Sequence, residues 1–351
     1  MQTLKQRFKP NADNPHAPFV IAEMSGNHNG SLDQALAIVD AAAAAGADAI
    51  KLQTYTADTM TLDIAEGEFV IQDPKSLWAG RALYGLYEEA HTPWDWHKPI
   101  FERAKEKGLI CFSSPFDDTA VDLLEELGAP IYKVASFESI DIPLIRRVAA
   151  TGKPVIISTG MATLTEISEA VEAAREAGCE HLTLLQCTSN YPAPPEYSNL
   201  ATIPHMRDLF GVEVGLSDHT MGIGVPVAAA ALGATVIEKH FTLDRDDGGV
   251  DSAFSANPEE MALMVLEAGR ARAALGEVKY GPSDVEKNAR RRRRSLYIAQ
   301  DLEAGDELTP QNLRRIRPGH GLPPKYYDQL LGRKVSKPVR RGTPMSWDLL
   351  G

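Results

Sequence analysis

At 351 residues the chain is too long for one small module; at roughly 150 residues per domain it holds about two, although an α/β barrel absorbs 200 to 250 residues as one unit. Apolar residues make up 44% and charged residues 24%, enough for a substantial core, which excludes a disordered or fibrous chain. A net charge of −12 argues against nucleic acid or an anionic membrane as partner of the whole surface, while leaving room for a small anion held by a few buried cations.

The opening stretch, MQTLKQRFKPNADNP, lacks the apolar segment of a signal peptide, and no run of 18 uncharged apolar residues follows. The alanines at 41–45 end at Gly46 and Asp48 and read as a helix face. Cys111, Cys179 and Cys187 are too few and too odd in number for a disulfide framework. Together these features predict a soluble, cytoplasmic protein with no membrane partner.

From residue 19 onward, β-branched or apolar runs alternate with helical patterns. Strands are expected at 19–24 (FVIAEM), 49–54 (AIKLQT), 109–114 (LICFSS), 131–136 (IYKVAS), 154–160 (PVIISTG), 181–188 (HLTLLQCT), 212–218 (VEVGLSD) and 235–241 (TVIEKHF). Between them lie segments such as LDQALAIVDAAAAAG, PWDWHKPIFERAKEKG and LTEISEAVEAAREAG, several ending in glycine as helices often do. Eight such units predict a (β/α)8 TIM barrel. An open doubly wound sheet fits less well, because no G-x-G-x-x-G turn follows the first strand.

Charge marks the end of the barrel. Residues 1–279 carry 21 basic and 40 acidic side chains, whereas residues 280–351 carry 15 basic and 8 acidic. The shift falls at GPSDVEKNARRRRRSLY, so a barrel over 1–280, a linker over 281–294 and a small, mostly β module over 295–351 are expected. The five arginines at 290–294 have no aromatic interleaving and no helix-turn-helix spacing, so they are read as contacting acidic protein surface, not nucleic acid.

The carboxyl ends of barrel strands form the active face. Here they carry Glu23, Lys51, Gln53, Ser113, Ser114, Lys133, Ser136, Glu138, Ser158, Thr159, Gln186, Thr188, Ser189, Ser217, Asp218, His219, Glu238, Lys239 and His240. Charges inside strand patterns are costly to bury unless paired or solvated. Lys51, Lys133 and Lys239 are candidates to hold phosphate or carboxylate oxygens, with Ser136, Ser158, Thr159 and Gly160 completing the shell. Lys133 or Lys239 is also the residue to test for a Schiff base with a carbonyl substrate; the bland reading of Lys133 is a salt bridge to Glu138 or Glu23. His219 and His240 end neighbouring strands, where two imidazoles can share one divalent cation, with Glu23 and Asp251 as oxygen ligands or bases. A structural histidine pair is the alternative, and Cys187 beside the same mouth is a weaker nucleophile reading. His28, in the turn NHNG, is open to a substrate-facing role, whereas Trp78, Trp94 and Trp96 read as packing.

The segments IAEMSGNHNGSLDQAL, GADAIKLQTYTADTM, YKVASFE, VIISTGM, LQCTSNYPAP, VGLSDHT and IEKHFTLDR closely resemble the sialic acid synthase family, the phosphoenolpyruvate-condensing synthases of nonulosonic acids. The tail, with NLRRIRPGHGL, resembles the antifreeze-like (SAF) domain that follows the barrel in that family. EMSGNHNG, KLQTYTADTM and DGGVDSAFS are most similar to the pseudaminic-acid-forming branch, with the legionaminic-acid- and N-acetylneuraminic-acid-forming branches as alternatives. Sialic acid synthases usually have Pro-Asp-His where this chain has Val250, Asp251 and Ser252, which favours a bis-acetamido 6-deoxy hexose over N-acetylmannosamine.

The resemblance implies condensation of phosphoenolpyruvate with the open-chain aldehyde of an N-acylated amino sugar, with release of phosphate by C–O cleavage and without a Schiff base. It implies that His219 and His240 hold a divalent metal, Mn2+ first and Mg2+ or Co2+ as alternatives. Lys51, Lys133, Ser136, Ser158, Ser189 and Ser217 would surround phosphoenolpyruvate, Glu138 would orient it, and Tyr191 would lie beside it or the sugar. Gln53 and Lys239 join the substrate-binding set by position, while Glu23 and Asp251 would act near the aldehyde. It further implies a domain-swapped homodimer in which the SAF domain of one copy, through Arg317, caps the barrel of the other. A non-catalytic sugar-binding protein is the reading from another class; it would bind ligand without turnover.

Overall fold

Each β-rich run of the first 240 residues pairs in parallel with the next, in the computed structural model, which describes residues 3–9, 14, 16–74 and 76–351. The opening stretch lies partly outside the described residues. The strands are β1 (Phe19–Glu23), β2 (Ala49–Thr54), β3 (Ile110–Pro115), β4 (Tyr132–Val134), β5 (Val155–Ser158), β6 (Leu182–Cys187), β7 (Glu213–Asp218) and β8 (Val236–His240). β8 pairs with β1, with His240 opposite Glu23, and closes the barrel. The expected barrel is therefore present.

Helices form between the strands where caps and apolar stripes coincide. Thr163 and Glu166 make a reciprocal capping box at the start of Leu164–Glu176, and Asn257 with Glu260 does the same before Pro258–Ala274. Helix Thr202–Phe210 stops at Gly211, whose φ of 62° a side chain would resist. The helices cover the outer strand face, where Val20, Ala22, Ile50, Leu52 and Ile237 pack with Ile38, Val39 and Ala42.

Side chains alternate across a strand with a period of two, so the inner face of the barrel can be followed from sequence. One apolar cluster joins Ile21, Ala49, Phe112, Ile131, Ile156, Leu185 and Val236, one residue from each of seven strands or their starts. Two residues further along each chain stand Glu23, Lys51, Ser114, Lys133, Ser158, Cys187 and Glu238, all buried. The barrel interior thus has an apolar lower layer and a polar upper one.

Below the lower layer, helix Leu4–Phe8 adds Leu4 to the apolar cluster, and Lys5 pairs with Asp48 at 2.6 Å. Nothing in the periodicity of this short, basic segment anticipates that plug.

The chain divides into two compact units, Met1–Gly276 and Glu277–Gly351. The second contains β9 (Ser295–Ile298) and β10 (Leu313–Ile316), an antiparallel pair, around Leu296, Ile298, Leu313, Leu330 and Val335. Regular strand there is confined to those two segments; isolated bridges such as Leu302 to Val339 extend the β character. Among the described residues, no helix is long and apolar enough to cross a membrane.

Candidate active site

The upper layer is a buried charge network. Lys51 lies 2.7 Å from Glu23 and 3.8 Å from Glu238, and Lys133 lies 3.9 Å from Glu238. Lys51 also donates to Ser114 Oγ at 3.2 Å, and Lys133 to Ser158 Oγ at 2.6 Å. Gln53 donates to Glu23 Oε1 at 2.9 Å, and Ser217 to Glu238 Oε1 at 3.2 Å. Two cations and two carboxylates balance, which is what makes their burial tolerable.

The network is not evenly satisfied. Burial pushes Glu23 up to about 7 despite the pull of Lys51. Burial also acts on Glu238, but Lys133 and Lys51 outweigh it and hold that carboxyl below its usual value. Burial lowers Lys133, whereas Glu23 and Glu238 outweigh burial at Lys51 and raise it. Glu238 Oε2 is buried without a hydrogen-bond donor. Glu238 is the residue that sequence reasoning saw at a strand end but left out of the site. The signal was its spacing, two residues past Val236 and opposite Ser217.

Beside the lysines, two serine hydroxyls converge on a glycine. The Gly160 N–H donates to Ser136 Oγ at 3.2 Å, and a Cβ on Gly160 would collide with the hydroxyls of both Ser189 and Ser136. Absence of that carbon lets both hydroxyls approach the backbone closely.

The two histidines are neighbours, with ring centroids 5.3 Å apart. His219 Nδ1 lies 2.9 Å from the Thr188 carbonyl, which can only accept, so Nε2 of the neutral ring keeps its lone pair. His240 Nδ1 is buried without a hydrogen-bond partner, and burial, with His219 nearby, holds this ring well below its ordinary value and thus neutral. An orphaned nitrogen beside a carbonyl-oriented imidazole is a donor set that fits a divalent cation. Among the described residues, no three His, Cys, Asp or Glu side chains form a ready-made cage. Cys187 Sγ lies 3.9 Å from His219; burial would raise this thiol, but His219 outweighs it and brings it to about 7. The same contact outweighs burial at His219 and raises its ring, so a proton and a cation compete there.

Above the floor opens a cavity of about 490 Å³, lined among others by Gln53, Glu138, Tyr191, His240 and Asp251. Tyr191 packs on His219 at 4.3 Å between centroids. Asp251 accepts from Ser25 and stands 3.8 Å from His240 Nδ1; burial raises its pKa. Burial also brings Glu138 to about 7, and its Oε2 has no donor.

Several expectations need correction. Lys239 alternates with Glu238 and His240 along β8 and is consumed elsewhere, by Asp218 Oδ2 and the Thr220 carbonyl, each at 2.6 Å. It does not join Lys51 and Lys133. The salt-bridge partner of Lys133 is Glu238, not Glu138 or Glu23. His28 does not face the mouth; it is fully buried against Trp96 and Thr92, and burial lowers it to about 4. Trp78 is more than packing, since it lines the cavity and its indole donates to the Val250 carbonyl at 3.0 Å. Arg317 lies exposed in the second unit.

Comparison with known proteins places this geometry in a lineage. The NeuB family profile matches residues 38–280 and the SAF domain profile residues 293–351. The chain is 45% identical over 327 residues to the pseudaminic acid synthase of Campylobacter jejuni, covering 92% of this chain and 94% of that protein. It is 43% identical to the pseudaminic acid synthase of Helicobacter pylori, over 94% of this chain and 97% of that one. Among solved structures, the N-acetylneuraminic acid synthetase of Leptospira borgpetersenii, in complex with citrate, superposes with a TM-score of 0.70 at 34% identity, over 78% of this chain and 90% of that one. The chain belongs to the NeuB (sialic acid synthase) family.

Proposed function

We propose that the protein condenses phosphoenolpyruvate with the open-chain form of 2,4-diacetamido-2,4,6-trideoxy-L-altrose and water, releasing phosphate and pseudaminic acid. The observation that carries this reading is the 45% identity to a pseudaminic acid synthase that extends over 92% of the chain. The chemistry of the barrel mouth supports it.

In this reading Lys51 and Lys133 neutralise the phosphate and carboxylate of phosphoenolpyruvate, and the hydroxyls of Ser136, Ser158, Ser189 and Ser217 with the Gly160 N–H complete the shell. Preorganised charge of this kind commonly supplies much of an enzyme's rate. Glu138 orients the same anion from the cavity wall. His219 and His240 hold a divalent cation, which we take to be Mn2+, with Mg2+ or Co2+ as substitutes; when bound it supplies Lewis-acid polarisation of the sugar aldehyde. C3 of phosphoenolpyruvate adds to the aldehyde carbon and water adds at C2. The resulting tetrahedral carbon expels phosphate with its bridging oxygen. To Glu23, the strand neighbour of His240, and Asp251, 3.8 Å from His240 Nδ1, we assign removal of the proton of that water. Tyr191, its ring tilted against that of His219, fixes the sugar beside them.

We further propose a cytoplasmic homodimer. The opposite charge balance of residues 1–279 and 280–351 supports one copy's tail capping the other's barrel, with Arg317 over the sugar. No Schiff base enters this mechanism, and the buried ion pair of Lys133 with Glu238 favours a charge-holding role.

Phosphate release is the test. The protein with phosphoenolpyruvate, this sugar and Mn2+ should release phosphate and a nine-carbon acid identifiable by NMR, and omission of sugar or metal should stop it. Arg317→Ala should raise the KM for sugar about tenfold or more with little change for phosphoenolpyruvate. Phosphate release independent of sugar would refute the condensation.

A further inference from the structure

The cavity has two unlike sets of lining groups. Ser25, Gln53, Glu138, His240 and Asp251 bring polar atoms to it. Much of the remainder comes from one stretch, residues 55–90, within the connection between β2 and the helix Trp94–Glu106. That stretch builds its own helix Leu83–Ala90 and a bridge from Val70 to Ala82. To the cavity it contributes the aliphatic side chains of Met60, Ile71, Leu83 and Leu86, alongside Ala90 and the aromatic rings of Tyr55, Trp78 and Tyr87.

These four aliphatic side chains offer a ligand no donor, and no acceptor beyond the weak thioether of Met60. Leu86 is buried, but Met60, Ile71 and Leu83 are only half-buried, as residues that face an open cavity are. The stretch is also held in place. Trp78 donates to the Val250 carbonyl at 3.0 Å and packs on Tyr191 with centroids 5.9 Å apart. Ala90 and Val250 close around Gly26, where any Cβ would collide with Val250. The apolar wall is therefore fixed against the loops that carry Asp251 and Tyr191, beside the imidazole pair.

We propose that residues 55–90 form the acceptor-sorting element of this enzyme. Met60, Ile71, Leu83 and Leu86 receive the methyl groups of a deoxygenated, N-acetylated hexose and disfavour a hexosamine that carries hydroxyls there. A hydroxyl pressed against such a wall loses its water without gaining a partner. Discrimination by an apolar wall is modest, about tenfold to a hundredfold. This inference rests on the synthase reading above and adds the residues that choose its sugar.

The experiment compares two acceptors, a 2,4-diacetamido-2,4,6-trideoxyhexose and N-acetylmannosamine, in the wild type, Leu83→Asn and Ile71→Asn. The readout is kcat/KM from phosphate release. The wild type should favour the deoxy sugar. Each variant should lose about tenfold on the deoxy sugar and less on N-acetylmannosamine, narrowing the ratio at least fivefold, with the KM for phosphoenolpyruvate within twofold of wild type. Ile71→Thr, which keeps the β-branch while bringing a hydroxyl, gives the same direction should an asparagine variant fail to fold. Equal losses on both sugars in folded variants would overturn the sorting role. Absence of phosphate release by the wild type with either sugar would instead overturn the synthase reading, and the sorting role with it.

Discussion

The two layers of the barrel interior are built by the same strands, two residues apart, and serve opposite ends. In the lower layer Ile21, Phe112, Ile131, Ile156 and Leu185 fill space with apolar surface, and Leu4 seals it from beneath. In the upper layer Glu23, Lys51, Lys133 and Glu238 place four charges where burial disfavours each of them. Burial of apolar surface returns roughly 25 cal/mol for each Å² removed from water. A buried ion pair often returns nothing against apolar residues of equal volume. Stability thus resides in one layer and, in the mechanism we propose, chemistry in the next.

The largest effect should come from converting the upper layer into a copy of the lower. Lys133→Met with Glu238→Met removes a pair at once and leaves no lone partner from it. Activity should fall by about a thousandfold or more, since single preorganised charges are worth about a hundredfold to a thousandfold. Folding stability should hold or rise by about 1 to 4 kcal/mol. Kinetics and denaturant melts on the one variant check both halves. A loss of several kcal/mol would mean that the charges hold the barrel together.

How far this division was legible in the sequence depended on periodicity. All eight strands could be read from their β-branched runs, and the polar character of their ends was plain. Which of those polar residues face one another was not. Lys239 sits between Glu238 and His240, and only the period of two, applied strictly, separates it from them. His28 and Trp78 exchanged roles because a turn and a long connection carry no period, so nothing in the sequence fixes which way their side chains point. The helix at Leu4–Phe8 is one turn long, too short for an amphipathic pattern.

Lys239 gives the next effect. It is as deeply buried as Lys133, yet its ammonium is spent on Asp218 and Thr220. Lys239→Met should leave Asp218 charged, buried and unpaired, at a cost of about 3 to 5 kcal/mol in stability. The KM for phosphoenolpyruvate should stay within a few-fold of wild type, unlike a Lys133 variant. A raised KM at unchanged stability would return Lys239 to the substrate-binding set.

Leu4→Ala sharpens the comparison from below. The side chain is 3% exposed and packs into the apolar layer, so truncation should cost about 2 to 3 kcal/mol with kcat unchanged. Thermal melts and steady-state rates on the same sample decide it. A fall in kcat in step with stability would tie the two layers together.

The smallest effect concerns Glu213, at the start of β7 beneath the lower layer, where its carboxylate accepts from the Leu4 N–H at 3.4 Å and from Thr235 at 3.3 Å. Burial raises it to about 7, more than these two bonds lower it. The folded protein therefore keeps this proton at pH values where the unfolded chain, titrating near 4.5, has released it. The contribution to stability is complete below about 4.5 and is lost as pH rises toward 7, after which it is flat. Glu213→Gln should gain on the wild type between pH values of about 5 and 8, by a modest shift in melting temperature. Glu23 and Glu138 are raised in the same direction in the upper layer, so only the difference between wild type and variant isolates the lower one. If that difference does not change with pH, the acid-side stability belongs to the upper layer alone, and the barrel's pH response follows its chemistry and not its plug.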